Sequence, residues 1–303
     1  MIQTHRKKAG FQHAGLLLML LPGVVFVFIF SYIPLYGILL AFKNYNYSMG
    51  IWGSPWAGLE HFRTFLTNPD FFRLMRNTLL LNIYSLLFYF PMPIVLAILL
   101  YEVRGRFFKR FVQTVSYVPH FLSTVAIVTL MGVLLSPESG IVNLILKSTG
   151  AEPIYFMAKP EWFRTLYIGS TIWQNAGFSA IIYLAALSSI DTEQYDAAYI
   201  DGASRLQRIR YISLPGIGPT IIIMLLLRLG DLLELGFEKA FLMQNPLTYD
   251  TSDVVSTYVY RVGLMGGEFS YATAVGIFNM VLSLILIGIF NQISRKASSV
   301  SLW

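Results

Sequence analysis

Asp191-Thr-Glu-Gln-Tyr-Asp-Ala-Ala-Tyr-Ile-Asp-Gly-Ala-Ser-Arg-Leu-Gln-Arg-Ile-Arg-Tyr-Ile-Ser-Leu-Pro215 is a polar island in an apolar chain. Its charges are Asp191, Glu193, Asp196, Asp201, Arg205, Arg208 and Arg210. On either side charge disappears: none occurs between Arg164 and Asp191, and none between Arg210 and Arg228. A helix needs about 20 predominantly apolar residues to cross the hydrocarbon core of a bilayer. The first of these runs clears that length easily and the second is marginal. The island therefore reads as a surface loop joining two membrane helices, and the fold follows by extending that reading outward.

Four more uncharged runs flank these two. They lie between Lys8 and Lys43, between Arg76 and Glu102, between Arg110 and Glu138, and between Glu268 and Arg295. Each is long enough to cross. The expected fold is all-α and integral to the membrane, a single domain over 1–303. Its six transmembrane helices are expected near 16–42, 78–101, 117–135, 166–187, 217–236 and 272–291. The first is long enough to hold a kink at Pro22 or Pro34. It is about twice the length of a signal-peptide core and reads as a retained span. A membrane barrel would show alternating segments of about 10 residues, and these runs are continuous.

Composition agrees. Of 303 residues, 55% are hydrophobic and 13% charged, against roughly 25% charged in soluble domains. Mean hydropathy is +0.61. A disordered chain and a soluble enzyme are excluded on these numbers. There is no cysteine, which excludes disulfides and thiolate sites. The net charge of +6 fits cytoplasmic loops held against anionic membrane lipid, with no nucleic acid partner.

Orientation comes from Lys and Arg. With the N-terminus inside, segments 1–15, 102–116, 188–214 and 292–303 hold twelve Lys and Arg. The opposite segments 43–77, 136–164 and 237–271 are longer in sum and hold nine. Acids run the other way, nine outside against five inside. Both termini are expected in the cytoplasm.

Within the island, Asp191 and Gln194 have the spacing of a capping box, so a short helix is expected to start there. Tyr195, Ala198 and Tyr199 fall on one face of it. Gly202 permits a turn with positive φ. Leu206, Ile209 and Ile212 then recur at helical spacing, with arginines opposite, until Leu214-Pro215 ends the second helix. The expected product is a helix–turn–helix elbow whose small residues let a partner approach. A plain connecting loop is the alternative.

Asp196-Ala197-Ala198, with Asp201-Gly202-Ala203 and the ending Leu214-Pro215, resembles the loop that marks permease subunits of binding-protein-dependent ABC importers. The first residue of that pattern is usually Glu, and Asp196 keeps the charge. Gly58-Leu-Glu-His-Phe62, Asn68-Pro-Asp-Phe-Phe72 and Arg76-Asn-Thr-Leu79 are similar to the lead into the second span of maltose-type sugar permeases. Ile33-Pro-Leu-Tyr-Gly37, Phe111-Val-Gln-Thr-Val-Ser-Tyr-Val-Pro-His120, Ile182-Tyr-Leu-Ala-Ala-Leu187 and Ser256-Thr-Tyr-Val-Tyr-Arg-Val-Gly263 look like the polysaccharide and oligosaccharide branch. The resemblance implies a type I importer fold in a bacterial cytoplasmic membrane, with 191–215 as the loop that couples to the ATPase. It also implies a second homologous permease subunit, two ATPase subunits that hold ATP and Mg, an extracellular solute-binding lipoprotein and a carbohydrate substrate. No cofactor would reside in this chain.

The fifth span must take in Arg228, Asp231 and Glu234, which share one stripe of the helix. Charges in a span cost about 3 kcal/mol or more unless paired or facing water. Either they line the substrate path, or Arg228 and Asp231 form a structural pair. Trp173, Gln174, Asn175 and Asn279 are further path candidates, since Trp stacks on sugar faces and amides bond hydroxyls. The alternative for them is helix packing. In the outer loop, Asp250-Thr-Ser-Asp253 reads as a helix start, and Tyr258 and Tyr260 as an aromatic belt or as a rim for the binding protein. His120, beside Pro119, reads as structural. No nucleophile–base pair, metal-ligand spacing or phosphate loop occurs, so no catalytic or metal residue is expected. A self-contained secondary carrier is the functional alternative. Such carriers show two related halves, which this sequence lacks.

Overall fold

The computed structural model describes residues 14–230 and 236–297. The described chain is built from helices, and its order follows the apolar runs. Helix α1, Ala14–Val27, continues through a π-helical turn, Phe28–Tyr32, into a 3-10 segment, Ile33–Phe42. Helix α2 runs Phe71–Glu102. Helix α3, Arg106–Tyr117, and helix α4, Thr124–Leu134, follow. Helix α5 is the 29-residue Pro160–Ser188. Helices α6, Thr192–Ile200, and α7, Arg205–Gly216, form the polar island. Helix α8, Gly218–Gly230, helix α9, Phe237–Met243, and helix α10, Phe269–Ala297, follow, and shorter helices such as Glu60–Leu66 and Ile141–Ser148 lie in the connections.

Leu17–Phe42, Phe71–Glu102 and Phe269–Ile289 are each long and apolar enough to cross a membrane. With α5 they carry the runs expected at 16–42, 78–101, 166–187 and 272–291. The expected single helix at 117–135 is corrected. A 3-10 turn, Val118–Phe121, and Leu122-Ser123 separate α3 from α4, and the two helices bend by 105°. Pro119 removes a backbone donor, and Ser123 starts α4 as its cap, accepting from the Ala126 N–H at 3.2 Å. The span expected at 217–236 is described only to 230. It is joined to α7 with a bend of 59°.

Irregular turns precede three prolines, among them Pro34, where a kink is expected. The wide turns Phe28–Tyr32, Ser85–Tyr89 and Ile209–Ser213 end two positions before Pro34, Pro91 and Pro215 respectively. A proline ring collides with the carbonyl four residues earlier, and a π turn opens the backbone there. Pro22 lies inside α1. The second helix of the island ends at Gly216, one residue past the expected Leu214-Pro215, and the chain bends there by 59° into α8.

Helix α5 is the central post. Leu187, Tyr183 and Ala180 pack with Ile94, Ala97 and Ile98 of α2 and with Ile217. Toward its other end, Phe163, Tyr167 and Ile168 pack with Leu81, Ala240, Met243 and Val254. Helix α3 presses on it closely enough that a Cβ at Gly177 would lie 2.0 Å from the Ser116 carbonyl oxygen. Only glycine permits that approach.

The loop before α10 is a packed structure. The helix expected after Asp250–Asp253 forms as Val255–Val259, capped at Val254, while Asp253 is fully buried and closes the short helix Tyr249–Ser252 before it. Its carboxylate accepts from Arg261 Nη1 at 3.1 Å and Nη2 at 2.6 Å, and from Thr257 Oγ1 at 3.0 Å, with Arg73 at 3.5 Å. Tyr258 is buried, and its hydroxyl meets Asn68 Nδ2 at 3.0 Å and the Tyr271 hydroxyl at 3.2 Å. Tyr258 is thus a core residue and does not form a surface belt.

Candidate functional site

Two places hold the chemistry. The first is the elbow of α6 and α7. Asp191 does cap α6, through Oδ1 accepting from the Glu193 N–H at 3.0 Å. The Gln194 N–H goes to the Asp191 carbonyl, at 3.3 Å, so the expected capping box is absent there. The box lies one helix later: the Ser204 N–H donates to Gln207 Oε1 at 2.7 Å, and the Gln207 N–H donates to Ser204 Oγ at 3.4 Å.

Between the helices, Gly202 has φ 76°. Its N–H reaches the Tyr199 carbonyl at 3.1 Å, and the Ala203 N–H reaches the Ala198 carbonyl at 2.9 Å. This pair is the Schellman arrangement, which satisfies the last carbonyls of α6 and reverses the chain. Arg208 Nη1 ties α7 to the turn through the Ala203 carbonyl at 3.3 Å. Tyr195 of α6 bonds α7, its hydroxyl meeting the buried Ser213 Oγ at 3.0 Å, and its ring lies 5.9 Å from Tyr101 at the end of α2. Asp196, Ala197 and Asp201 face outward, and Ala198 and Ala203 are half-buried. Tyr199, Ile200, Leu206 and Tyr211 are 69%, 84%, 74% and 68% exposed. The elbow thus exposes four large apolar side chains beside carboxylates and arginines.

The second place is a polar stripe on α5. Thr171, Asn175 and Ser179 stand four residues apart, so they line one side of the helix. Thr171 Oγ1 accepts from the buried Lys239 Nζ at 2.9 Å. Asn175 Oδ1 meets His120 Nδ1 at 2.9 Å. Ser179 Oγ meets the Tyr89 hydroxyl at 3.1 Å. His120 stacks on Phe178 with ring centres 4.0 Å apart. Arg228 donates from Nη2 to Ser85 Oγ at 2.8 Å, and its guanidinium lies 5.6 Å from the Tyr89 ring centre. Burial holds the Lys239 ammonium down to about 8.

The candidates of the sequence are thus only partly brought together. Asn175 and Arg228 join the stripe through His120 and Tyr89. Gln174 Nε2 donates to the Leu122 carbonyl at 3.2 Å, bracing the break between α3 and α4. Trp173 is half exposed, on another side of α5. Asn279 lies apart, in an apolar groove of about 630 Å³ lined also by Ile38, Phe237, Tyr260 and Met280. Asp231 and Glu234, including the expected pairing of Arg228 with Asp231, lie outside the described residues. The residues missed were Ser85, Tyr89, Thr171, Ser179 and Lys239. Thr171, Asn175 and Ser179 at four-residue spacing in an apolar run were the available signal.

Among the described residues no cluster of His, Asp and Glu could hold a metal. Residues 89–299 match the family described as "Binding-protein-dependent transport system inner membrane component". The chain is 46% identical to the polygalacturonan/rhamnogalacturonan transport system permease protein YteP of Bacillus subtilis, over 94% of this chain and 89% of that one. It is also 46% identical to Protein LplB of Bacillus subtilis, over 93% and 88%. A chain of the crystal structure of a bacterial ABC transporter involved in the import of the acidic polysaccharide alginate superposes with a TM-score of 0.90. The two are 44% identical over 97% of this chain and 99% of that one. The bacterial alginate ABC transporter in complex with an alginate pentasaccharide-bound periplasmic protein gives a TM-score of 0.90 at 43% identity, over 99% of this chain and 100% of that one. The chain belongs to the family of binding-protein-dependent transport inner membrane components, as a permease subunit of an ABC importer with the type I fold.

Proposed function

We propose that this subunit carries an oligosaccharide inward, and that the sugar is of the acidic class named for the alginate importer. The path runs beside the polar stripe of α5. There His120 and Arg228 supply donors for carboxylates and hydroxyls, and Phe178 and Tyr89 supply flat apolar faces. Trp173, Gln174, Asn175 and Asn279 remain path candidates, as do Asp231 and Glu234. The chain crosses the membrane six times with both termini in the cytoplasm. Two ATPase subunits, holding ATP and Mg, dock on the 191–215 elbow. A second permease completes the path, and a solute-binding lipoprotein delivers the sugar on the outer side.

The observation that carries this reading is the elbow: a rigid turn at Gly202 presenting Tyr199, Ile200, Leu206 and Tyr211 to solvent. A closed, self-contained carrier has no use for such an exposed apolar surface. Affinity purification of the tagged chain from its own membranes tests it. Recovery of a second permease and an ATPase is expected, with loss of the ATPase but not the permease when Ile200→Asp and Leu206→Asp are combined. Recovery of neither partner refutes the reading. Orientation is checked on the cysteine-free chain by an impermeant thiol reagent in intact cells. Met49→Cys and Leu247→Cys should label, and Ser204→Cys should not.

A further inference from the structure

Helix α3 has two opposed arcs. Phe107, Phe108, Phe111, Val112 and Val115 lie on one, and Arg106, Lys109, Arg110 and Gln113 on the other. Lys109 and Gln113 are half-buried, with Lys109 Nζ 5.9 Å from the Tyr101 ring centre, while Arg106 and Arg110 are exposed. The start of the apolar arc faces away, while Phe111, Val112 and Val115 border an open groove beside Leu96, Ile172 and Trp173. Phe107 is 87% exposed, and Phe108, Phe111 and Val115 are each more than half exposed. A helix at a water-facing surface would show the reverse arrangement.

Three further facts place this helix in a membrane interface. It begins four residues after Glu102, where the 32-residue α2 ends. It is bent by 105° from α4. Its 12 residues span about 18 Å, so α3 does not cross by itself, and only together with α4, as a bent pair, does it reach the length and hydropathy of a span. Charge selects the lipid. Arg104, Arg106, Lys109 and Arg110 are clustered, and Glu102 is the only acid between Asp70 and Glu138. Among the described residues none of the four cations is in an ion pair. In a bilayer they extend to headgroup phosphates while the rings enter the acyl chains.

We infer that α3 lies in the bilayer interface and that Arg104, Arg106, Lys109 and Arg110 bind the headgroups of anionic phospholipids. The test uses the assembled importer in nanodiscs of phosphatidylcholine and phosphatidylglycerol. A fluorophore is attached at Phe107→Cys, with labelled complex containing the cysteine-free chain as background. Quenching by nitroxide-chain phosphatidylglycerol is compared with quenching by nitroxide-chain phosphatidylcholine. The expected result is strong quenching with preference for phosphatidylglycerol. Each cation near a membrane surface changes anionic-lipid affinity about fivefold at moderate salt, so Arg106→Gln with Arg110→Gln should lower the preference by about 25-fold. The stimulated ATP hydrolysis of the double variant shows that the complex remains assembled. Absence of quenching by either lipid means that a protein, such as the second permease, covers this face, and overturns the inference. Equal quenching by both lipids overturns the headgroup assignment.

Discussion

Gly202 is where the coupling argument is most exposed to experiment. A Cβ built there meets nothing within 4 Å, so substitution causes no crowding inside this chain. The cost is backbone alone. At φ 76° an L-residue is penalised by roughly 1–2 kcal/mol. If the turn relaxes instead, the bonds from Gly202 to Tyr199 and from Ala203 to Ala198 are lost, and each is worth about 1 kcal/mol net. Gly202→Ala should therefore lower the population of the formed elbow about 5- to 30-fold, and Gly202→Val should lower it further because β-branching resists positive φ. Asparagine tolerates this conformation, so Gly202→Asn should recover most of the loss despite its larger side chain. The assay is ATPase-subunit affinity for the nanodisc-embedded permease pair, followed by ATP hydrolysis stimulated by the loaded binding protein. The expected order is Gly, Asn, Ala, Val. If Asn proves worse than Ala, side-chain bulk at the partner surface governs and the backbone argument fails. Full stimulation in Gly202→Val removes the elbow from the coupling role.

Asp196→Glu should leave transport within about twofold of the parent, because it restores the carboxylate usual at this point of the loop. A larger loss in stimulated ATP hydrolysis would show that reach, and not charge, matters there. Asp253→Asn should destabilise the outer lock by ~3 kcal/mol, the low end for breaking a buried pair, because Arg73 and Arg261 reach solvent in part. Thermal unfolding of the purified complex measures it, and an unchanged midpoint would refute the lock. Lys239 has a folded pKa of about 8 against an ordinary 10.5. The unfolded chain therefore binds more protons between these values, and stability rises as pH climbs from about 8 to 10.5. Lys239→Met should flatten that rise and stabilise the subunit at pH 7 by ~3 kcal/mol. A melting curve against pH identical to the parent's would refute it.

The amino-acid sequence alone determined the class of fold. Charge-free runs long enough to cross a bilayer have one stable solution in lipid, the helix, because no water is present to satisfy the backbone. It also determined the elbow, since Gly202 between two short amphipathic patterns demands a turn with positive φ. Asp191 was legible as a cap, though its partner was not: Ser204 and Gln207 carry the same spacing, and only the folded turn decides which pair closes. Prolines marked the irregular places, near Pro34 and Pro215, but not that a π turn would accommodate each ring within a continuing helix. Tertiary structure decided the rest. The helix start after Asp250–Asp253 was legible, but not that Arg73, from α2, and Arg261, from the following turn, close on the Asp253 carboxylate in the core. His120 looked inert until the break after α3 placed it against Asn175 and Phe178. Which polar side chains share a site depends on how α5 is rotated against α2 and on where α3 bends. Those angles come from close contacts such as Gly177 on Ser116, between residues far apart in the chain, which no local pattern records.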